Sequence, residues 1–263
     1  MSPRQKLQMP VLDRFRLHGR RAFVTGASRG IGRAIAIALA ESGADVALAA
    51  RDEARLTELA AEIETLGRRA HVVPLDLANL EAIAPAIDAA ADELGGLDLL
   101  VNNAGVSHRG GFEIHDPAEF DRMYDINLGA VLFGCQAARP HLAAAGGGAI
   151  VNIGSIAGTK GAGLYGASKA GVHALTRGFS REYANDGIRV VALAPGQVIT
   201  DMTAHVRANP SELNAILHHT ARGRAADPEE IAAAVVYLAS PAAGFVTGTT
   251  IAIDGGRDFF ARR

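Results

Sequence analysis

Tyr165 and Lys169 stand four positions apart in Tyr165-Gly166-Ala167-Ser168-Lys169, where a helical pattern begins. That spacing stacks both side chains on one helix face, within reach of a common ligand. A phenol is a poor acid near neutral pH, since its ordinary pKa is about 10. An ammonium one turn away favours the phenolate and lowers that value. The pair could therefore pass a proton to or from a bound oxygen, and Ser155, at the end of the apolar run Ala149–Ile153, could hold that oxygen. Read alone, the same residues are more simply a surface tyrosine and a solvated lysine, because short motifs recur by chance. The elements around them must supply a reason to converge.

A second chemical signal comes early. The apolar run Ala22–Thr25 leads into Gly26-Ala27-Ser28-Arg29-Gly30-Ile31-Gly32, and Ala34, Ile35, Ile37, Ala38 and Leu39 then recur at helical spacing up to Gly43. Strand, glycine turn and helix form the context of a nucleotide site. Glycines let backbone N–H groups approach a pyrophosphate, and the helix N-terminus faces the anion with partial positive charge. Gly26, Ser28, Arg29, Gly30, Ile31 and Gly32 are the cofactor-binding candidates here. The Gly-x-x-x-Gly-x-Gly spacing is neither G-x-G-x-x-G nor a P-loop. Val46–Ala50 reads as the next strand, with Arg51 directly after it. An acid near this place holds a ribose 2′-OH, whereas an arginine accommodates a 2′-phosphate. Arg51 and Arg29 together favour NADP(H) over NAD(H). Asp52 and Glu53 read as the start of a helix, where acids suit the dipole.

Helix Glu53–Leu66 stops at Gly67, and strand Ala70–Leu75 ends on Asp76 and Leu77. The helix Leu80–Leu94 contains Pro85, which predicts a bend or a late start. Strand Leu97–Val101 precedes Asn102-Asn103-Ala104-Gly105. The Tyr165 helix continues through Gly171–Ala184, followed by strand Ile188–Ala194, helix Pro228–Ala239 and strand Thr249–Ile253. Strands alternating with helices predict an α/β fold, a single doubly wound Rossmann-type domain whose seven-stranded parallel sheet carries helices on both faces.

These motifs together resemble the short-chain dehydrogenase/reductase family. Thr25-Gly26-x-x-x-Gly30-x-Gly32, Asn102-Asn103-Ala104-Gly105, a serine after the fifth strand, Tyr165-x-x-x-Lys169 and Pro195-Gly196 occur in the family's order, and the resemblance runs from about Phe15 to Gly256. It implies that Asp76 contacts the adenine and that Asn102, with Asn103, Ala104 and Gly105, shapes the wall near the adenosine ribose. It implies that Asn127 holds a water in a proton relay, although a helix-interior amide could equally pack against a neighbour. Ser155 would orient the carbonyl, Tyr165 would donate the proton, and Lys169 would bind the nicotinamide ribose and depress the tyrosine pKa. Pro195, Gly196, Val198 and Thr200 would lie beside the nicotinamide. The implied reaction interconverts a ketone and a secondary alcohol, as in the similar 3-oxoacyl-acyl-carrier-protein reductases and sugar or polyol dehydrogenases. A non-catalytic dinucleotide-binding sensor or partner subunit is the alternative, which the full Asn127, Ser155, Tyr165 and Lys169 set disfavours. A serine hydrolase has less support, since Gly154-Ser155-Ile156-Ala157-Gly158 is not G-x-S-x-G. One departure stands out: Ser155 and Tyr165 are ten positions apart, fewer than is usual in the family, which shortens the loop beside the substrate.

The segment 201–222 is polar and weakly periodic, and the resemblance makes it a substrate lid. His218-His219 point to different helix faces with no third ligand at metal spacing, so no metal site is expected. His108 lines the pocket or is simply a surface histidine. Ser168 reads as structural. The 263-residue chain is 49% hydrophobic with net charge −2 and no basic stripe, which leaves a small-molecule substrate as the expected partner rather than nucleic acid. Residues 1–14 read as an N-terminal extension, and Met1–Pro10 lack the apolar core of a signal peptide. No apolar run approaches the roughly 20 residues that span a bilayer. With Cys135 the one cysteine, an internal disulfide is impossible and a reducing, cytoplasmic setting fits. The resemblance further implies a homotetramer, or a homodimer, built on the Tyr165 helix and the C-terminal end.

Overall fold

The inner strands follow a period-two pattern of burial that sends alternate side chains into two different cores. In β1 (Arg21–Thr25), Ala22 and Val24 enter one core and Phe23 the other; in β2 (Asp45–Ala50), Val46 and Leu48 oppose Ala47 and Ala49. The first core is closed by α1 (Gly30–Glu41), α2 (Glu53–Thr65) and α10 (Pro228–Ala239); the second by α3 (Ile83–Leu94), α5 (Ala130–Ala144) and α7 (Gly163–Glu182). Both sheet faces are therefore covered, which is why the strands read as continuous apolar runs rather than half-polar ones.

The computed structural model describes residues 9–108, 110–114 and 116–257. The first eight residues of the expected N-terminal extension lie outside them. With β3 (Ala70–Pro74), β4 (Leu99–Asn102), β5 (Gly148–Ile153), β6 (Ile188–Pro195) and β7 (Thr250–Ile253), the sheet has the order β3-β2-β1-β4-β5-β6-β7, parallel throughout. Among the described residues no helix is long and apolar enough to cross a membrane.

Local departures from the sequence reading have local causes. Pro85 sits in the first turn of α3, whose start is delayed to Ile83 behind a short 3-10 turn at Leu80–Ala82. β4 begins at Leu99 rather than Leu97, and just before it the Asp98 carboxylate accepts from the backbone N–H of Arg21 and from the Arg20 and Arg21 side chains. Between β4 and α5 the chain makes α4 (Pro117–Tyr124) and a five-residue π turn, Asp125–Gly129. The crossing between Ser155 and Tyr165 contains a helix of its own, α6 (Ile156–Lys160). The expected lid segment carries α8 (Ala204–Arg207) and α9 (Pro210–His218).

Candidate active site

Open parallel sheets bind nucleotides beyond the carboxyl ends of their strands, at the point where strand order reverses. Here that point lies between β1 and β4, and a cleft of about 870 Å³ opens there. Gly26, Ser28, Arg29, Gly30, Ile31, Gly32, Arg51, Asp76, Leu77, Asn103, Ala104, Gly105, Ser155, Tyr165, Lys169, Pro195, Gly196, Val198 and Thr200 all line it, so the sequence-derived candidates, apart from Asn102 and Asn127, share one wall.

The glycine loop is fixed by its neighbours. Thr25 Oγ1 accepts from the backbone N–H groups of Asn103 (2.9 Å) and Ala104 (3.1 Å), while Asn103 Nδ2 donates to the Thr25 carbonyl at 2.8 Å. A Cβ on Gly32 would collide with the Gly26 carbonyl and the Asn103 amide, so helix α1 can approach β1 only through glycine. Arg29, the N-cap of α1, makes no side-chain cap, which leaves the first N–H groups of the helix facing the cleft without a side-chain acceptor. Such orphan donors at a helix N-terminus fit a diphosphate. Buried Gln197 Nε2, also on the cleft wall, has no partner within the protein. These features suit a dinucleotide.

Asp52 is spent elsewhere: it caps α2, accepting from Arg55 N at 3.2 Å and pairing with the Arg55 guanidinium at 3.4 Å. Arg51 is exposed at the cleft. Arg29 pairs with Asp201 across the cleft at 3.7 Å, between two exposed side chains. Asp76 uses one carboxylate oxygen on the N–H of Ala78 (3.1 Å).

At the other end stand the groups with which the sequence reading began. Ser155 caps α6, its Oγ accepting from Ala157 N at 3.1 Å, and it also hydrogen-bonds to Tyr165. The ten-residue spacing therefore brings the hydroxyls together: α6 packs against α7 and Gly161 ends it in the left-handed region, turning the chain straight into the tyrosine helix. Lys169 is 3% exposed, donates to the Ile153 carbonyl at 2.9 Å, and places its ammonium 6.0 Å from the Tyr165 ring centroid. Burial pulls its pKa down to about 8. Burial also raises the phenol, with the Ser155 hydrogen bond opposing. The net direction at Tyr165 is thus opposite to the lowering expected from Lys169 alone, because removing a phenolate from water is the larger effect.

Asn102 sits differently from the sequence reading, and Asn127 packs against its neighbours, an alternative that reading leaves open. Asn102 does not line the ribose wall; it is buried in β4, donating to Asn152 Oδ1 at 2.9 Å, while Asn152 donates to Thr176 Oγ1 on α7 at 3.0 Å. This chain ties β4, β5 and α7 into register. Asn127, fully buried in the π turn, exchanges hydrogen bonds with the backbone of Val106 (2.8 and 2.9 Å) and donates to Ser168 Oγ at 3.1 Å. Its amide is committed to protein partners, so it positions the 105–107 segment against α7. Ser168, which donates to the Tyr165 carbonyl at 2.7 Å, is structural as expected.

Val106, Ser107, Ile126, Lys160 and Arg257 also line the cleft and carried no sequence signal, while Met202, His205 and Val206 come from the segment expected to be the lid. His108 instead binds Glu119 (3.1 Å) and the Glu113 carbonyl (2.7 Å), and the Glu119 contact raises its pKa. Buried His173, one turn beyond Lys169, wedges its ring against Gly154 and Gly158, the turn that presents Ser155. Among the described residues no three His, Cys, Asp or Glu side chains could hold a metal.

A nucleotide cleft that ends on paired hydroxyls and a buried lysine is the layout of a dinucleotide-dependent oxidoreductase. A family model described as enoyl-(acyl carrier protein) reductase matches residues 26–258. The chain is 41% identical over 252 residues to galactitol 2-dehydrogenase (L-tagatose-forming) of Cereibacter sphaeroides, covering 92% of this chain and 96% of that one. It is 40% identical over 243 residues to a 3-oxoacyl-[acyl-carrier-protein] reductase of Vibrio cholerae, covering 91% and 98%. The solved gluconate 5-dehydrogenase of Burkholderia cenocepacia in complex with NADP and tartrate superposes with a TM-score of 0.90 at 35% identity, over 94% of this chain and 98% of that one. The chain belongs to the short-chain dehydrogenase/reductase family. It is an NAD(P)-dependent oxidoreductase acting on CH–OH and C=O groups.

Proposed function

We propose that the protein interconverts a ketone and a secondary alcohol with NADP(H), using Tyr165 as general acid and base. The observation that carries this reading is the convergence of Ser155, Tyr165 and buried Lys169 at one end of the dinucleotide cleft. The nicotinamide, when bound, supplies or accepts the hydride. Ser155 and the phenol hold the substrate oxygen and stabilise the negative charge that develops on it. In reduction Tyr165 gives its proton to that oxygen; in oxidation it takes the proton back. Its raised pKa keeps the phenol protonated through neutral pH, which suits the acid role. Lys169, held by the Ile153 carbonyl, supplies the nearby cation and a donor toward the nicotinamide ribose.

Cofactor choice rests on Arg51 and Arg29. Support comes from Asp52, whose carboxylate is occupied as the α2 cap rather than turned to a ribose hydroxyl. A 2′-phosphate would take Arg29 in place of Asp201. Asp76 and Leu77 would then flank the adenine, and Val198 and Thr200 the carboxamide. Segment 201–222 acts as the lid in this reading, and the chain assembles as a homotetramer or homodimer in the cytoplasm. The test is NADPH oxidation and NADP reduction across a panel of ketones and alcohols. No turnover with any member, or full activity in Tyr165→Phe, overturns the proposal. An unchanged NADPH-over-NADH preference in Arg51→Asp removes the NADP assignment.

A further inference from the structure

Two basic side chains, Lys160 and Arg257, line the substrate end of the cleft. Helix α6 starts on Ser155 and ends on Lys160, so the lysine stands about 7.5 Å along the helix from the hydroxyl that holds the substrate oxygen. After β7 the chain turns at Gly255 and Gly256 and lays Arg257 beside it, with Lys160 Nζ donating to the Arg257 carbonyl at 2.9 Å. Both residues line the cleft together with His205 from α8, whose buried Nδ1 has no partner within the protein.

Arg257 is half-buried, and burial lowers its pKa against the opposing field of Asp254. No carboxylate among the described residues lies within ion-pair distance of its guanidinium. Asp254 uses Oδ1 on the N–H of Gly256 (2.9 Å). The other acid near the lid, Asp201, pairs with Arg29 on the glycine-loop side. A guanidinium drawn out of water without a contacting anion is costly unless a ligand supplies one.

We propose that the substrate is a small hydroxy acid or keto acid whose carboxylate sits on Arg257 and Lys160, while its carbinol or carbonyl oxygen sits on Ser155 and Tyr165. This rests on the acid/base reading of Tyr165 for the reacting end. With Lys160 about 7.5 Å along α6 from Ser155, the carboxylate would sit a few bonds from the reacting carbon. His205 is placed to take a second oxygen of the same ligand.

The experiment compares small hydroxy acids with their own methyl esters in NADP reduction, for the wild type and for Arg257→Met, Arg257→Lys and Lys160→Met. In parallel, butyrate and butyramide are titrated calorimetrically into the NADP-loaded protein, and NADP binding itself reports that each variant is folded. The wild type should favour acid over ester by at least about tenfold in kcat/KM, the range of a charge-assisted contact. Arg257→Met should erase most of that preference, Arg257→Lys should recover part of it, and Lys160→Met should lie between. Butyrate should bind the wild type more tightly than butyramide and lose that advantage in Arg257→Met. Esters used as well as acids, or a preference untouched by both methionine variants, overturns the carboxylate anchor while the oxidoreductase reading stands. Selective butyrate binding without any turnover supports the anion site and overturns the Tyr165 reading instead.

Discussion

The two walls of the cleft differ in how much of them is fixed before any ligand arrives. The sheet-side wall is built from strand ends and from α1 and α7, whose site residues are buried or held by hydrogen bonds: Thr25, Asn103 and Lys169 each have a protein partner within 3 Å. The facing wall, lined by Asp201, Met202, Thr203, His205 and Val206, is made of short helices with Val206 as their one buried hydrophobic residue. Chemistry that must be preorganised is placed where the core over-determines geometry, while the facing segment has little burial to hold it.

Variants of each wall put that contrast at risk. The largest effect is expected at Tyr165→Phe: ketone reduction should fall about a thousandfold, the scale of a lost general acid, with NADPH affinity measured by fluorescence changing far less. A loss confined to KM would move the proton transfer away from α7. Arg51→Asp should shift the ratio of kcat/KM for NADPH over NADH toward NADH by about ten- to a hundredfold.

Lys169→Met tests the cost of the prebuilt wall. The folded pKa of about 8 lies below the ordinary 10.5, so between these values the unfolded chain binds more protons than the folded one. Stability attributable to Lys169 therefore rises with pH across that window. Relative to Lys169→Met, the wild type should gain up to about 1.4 kcal/mol per pH unit in denaturant titrations from pH 8 upward. A difference that does not vary with pH would mean the ammonium is better solvated than its burial implies. The smallest effect is expected from the proposed lid: Met202→Ala, at a 43% exposed cleft residue, should change kcat/KM by less than about tenfold, by amounts that differ among substrates. A uniform loss across substrates would make the lid part of the catalytic apparatus.

How far each wall could be read from sequence follows the same division. The glycine loop, Tyr165 and Lys169 announce themselves because their geometry is local: a strand, a turn and a helix phase suffice. Helix α6 was invisible, since Ile156-Ala157-Gly158-Thr159-Lys160 has little helix propensity and holds only through the Ser155 cap and its packing on α7. Asn102 was misplaced for the opposite reason. Its neighbour in the motif, Asn103, does face the cleft, but Asn102 is turned inward by Asn152, a partner 50 positions away that no local pattern reveals. Arg257 reaches the cleft through a β7 turn, again a long-range fact. The direction of the Tyr165 pKa escaped because sequence shows the lysine and not the burial.

The π turn at Asp125–Gly129 sets a limit on how this chain can change length. One residue more than an α-turn advances everything downstream by roughly 100° about the helix axis. Because Asn127 must meet Val106 and Ser168 while α5 buries Val131, Cys135 and Ala138, that angular offset is built into the match between the two surfaces. Removing a single residue there would straighten the helix and swing one of those surfaces out of contact, a defect that no side-chain substitution elsewhere could realign. Insertions and deletions should accumulate in the lid and be purged from this turn, so a survey of tolerated single-residue deletions would trace the rigid wall of the cleft without any assay of catalysis.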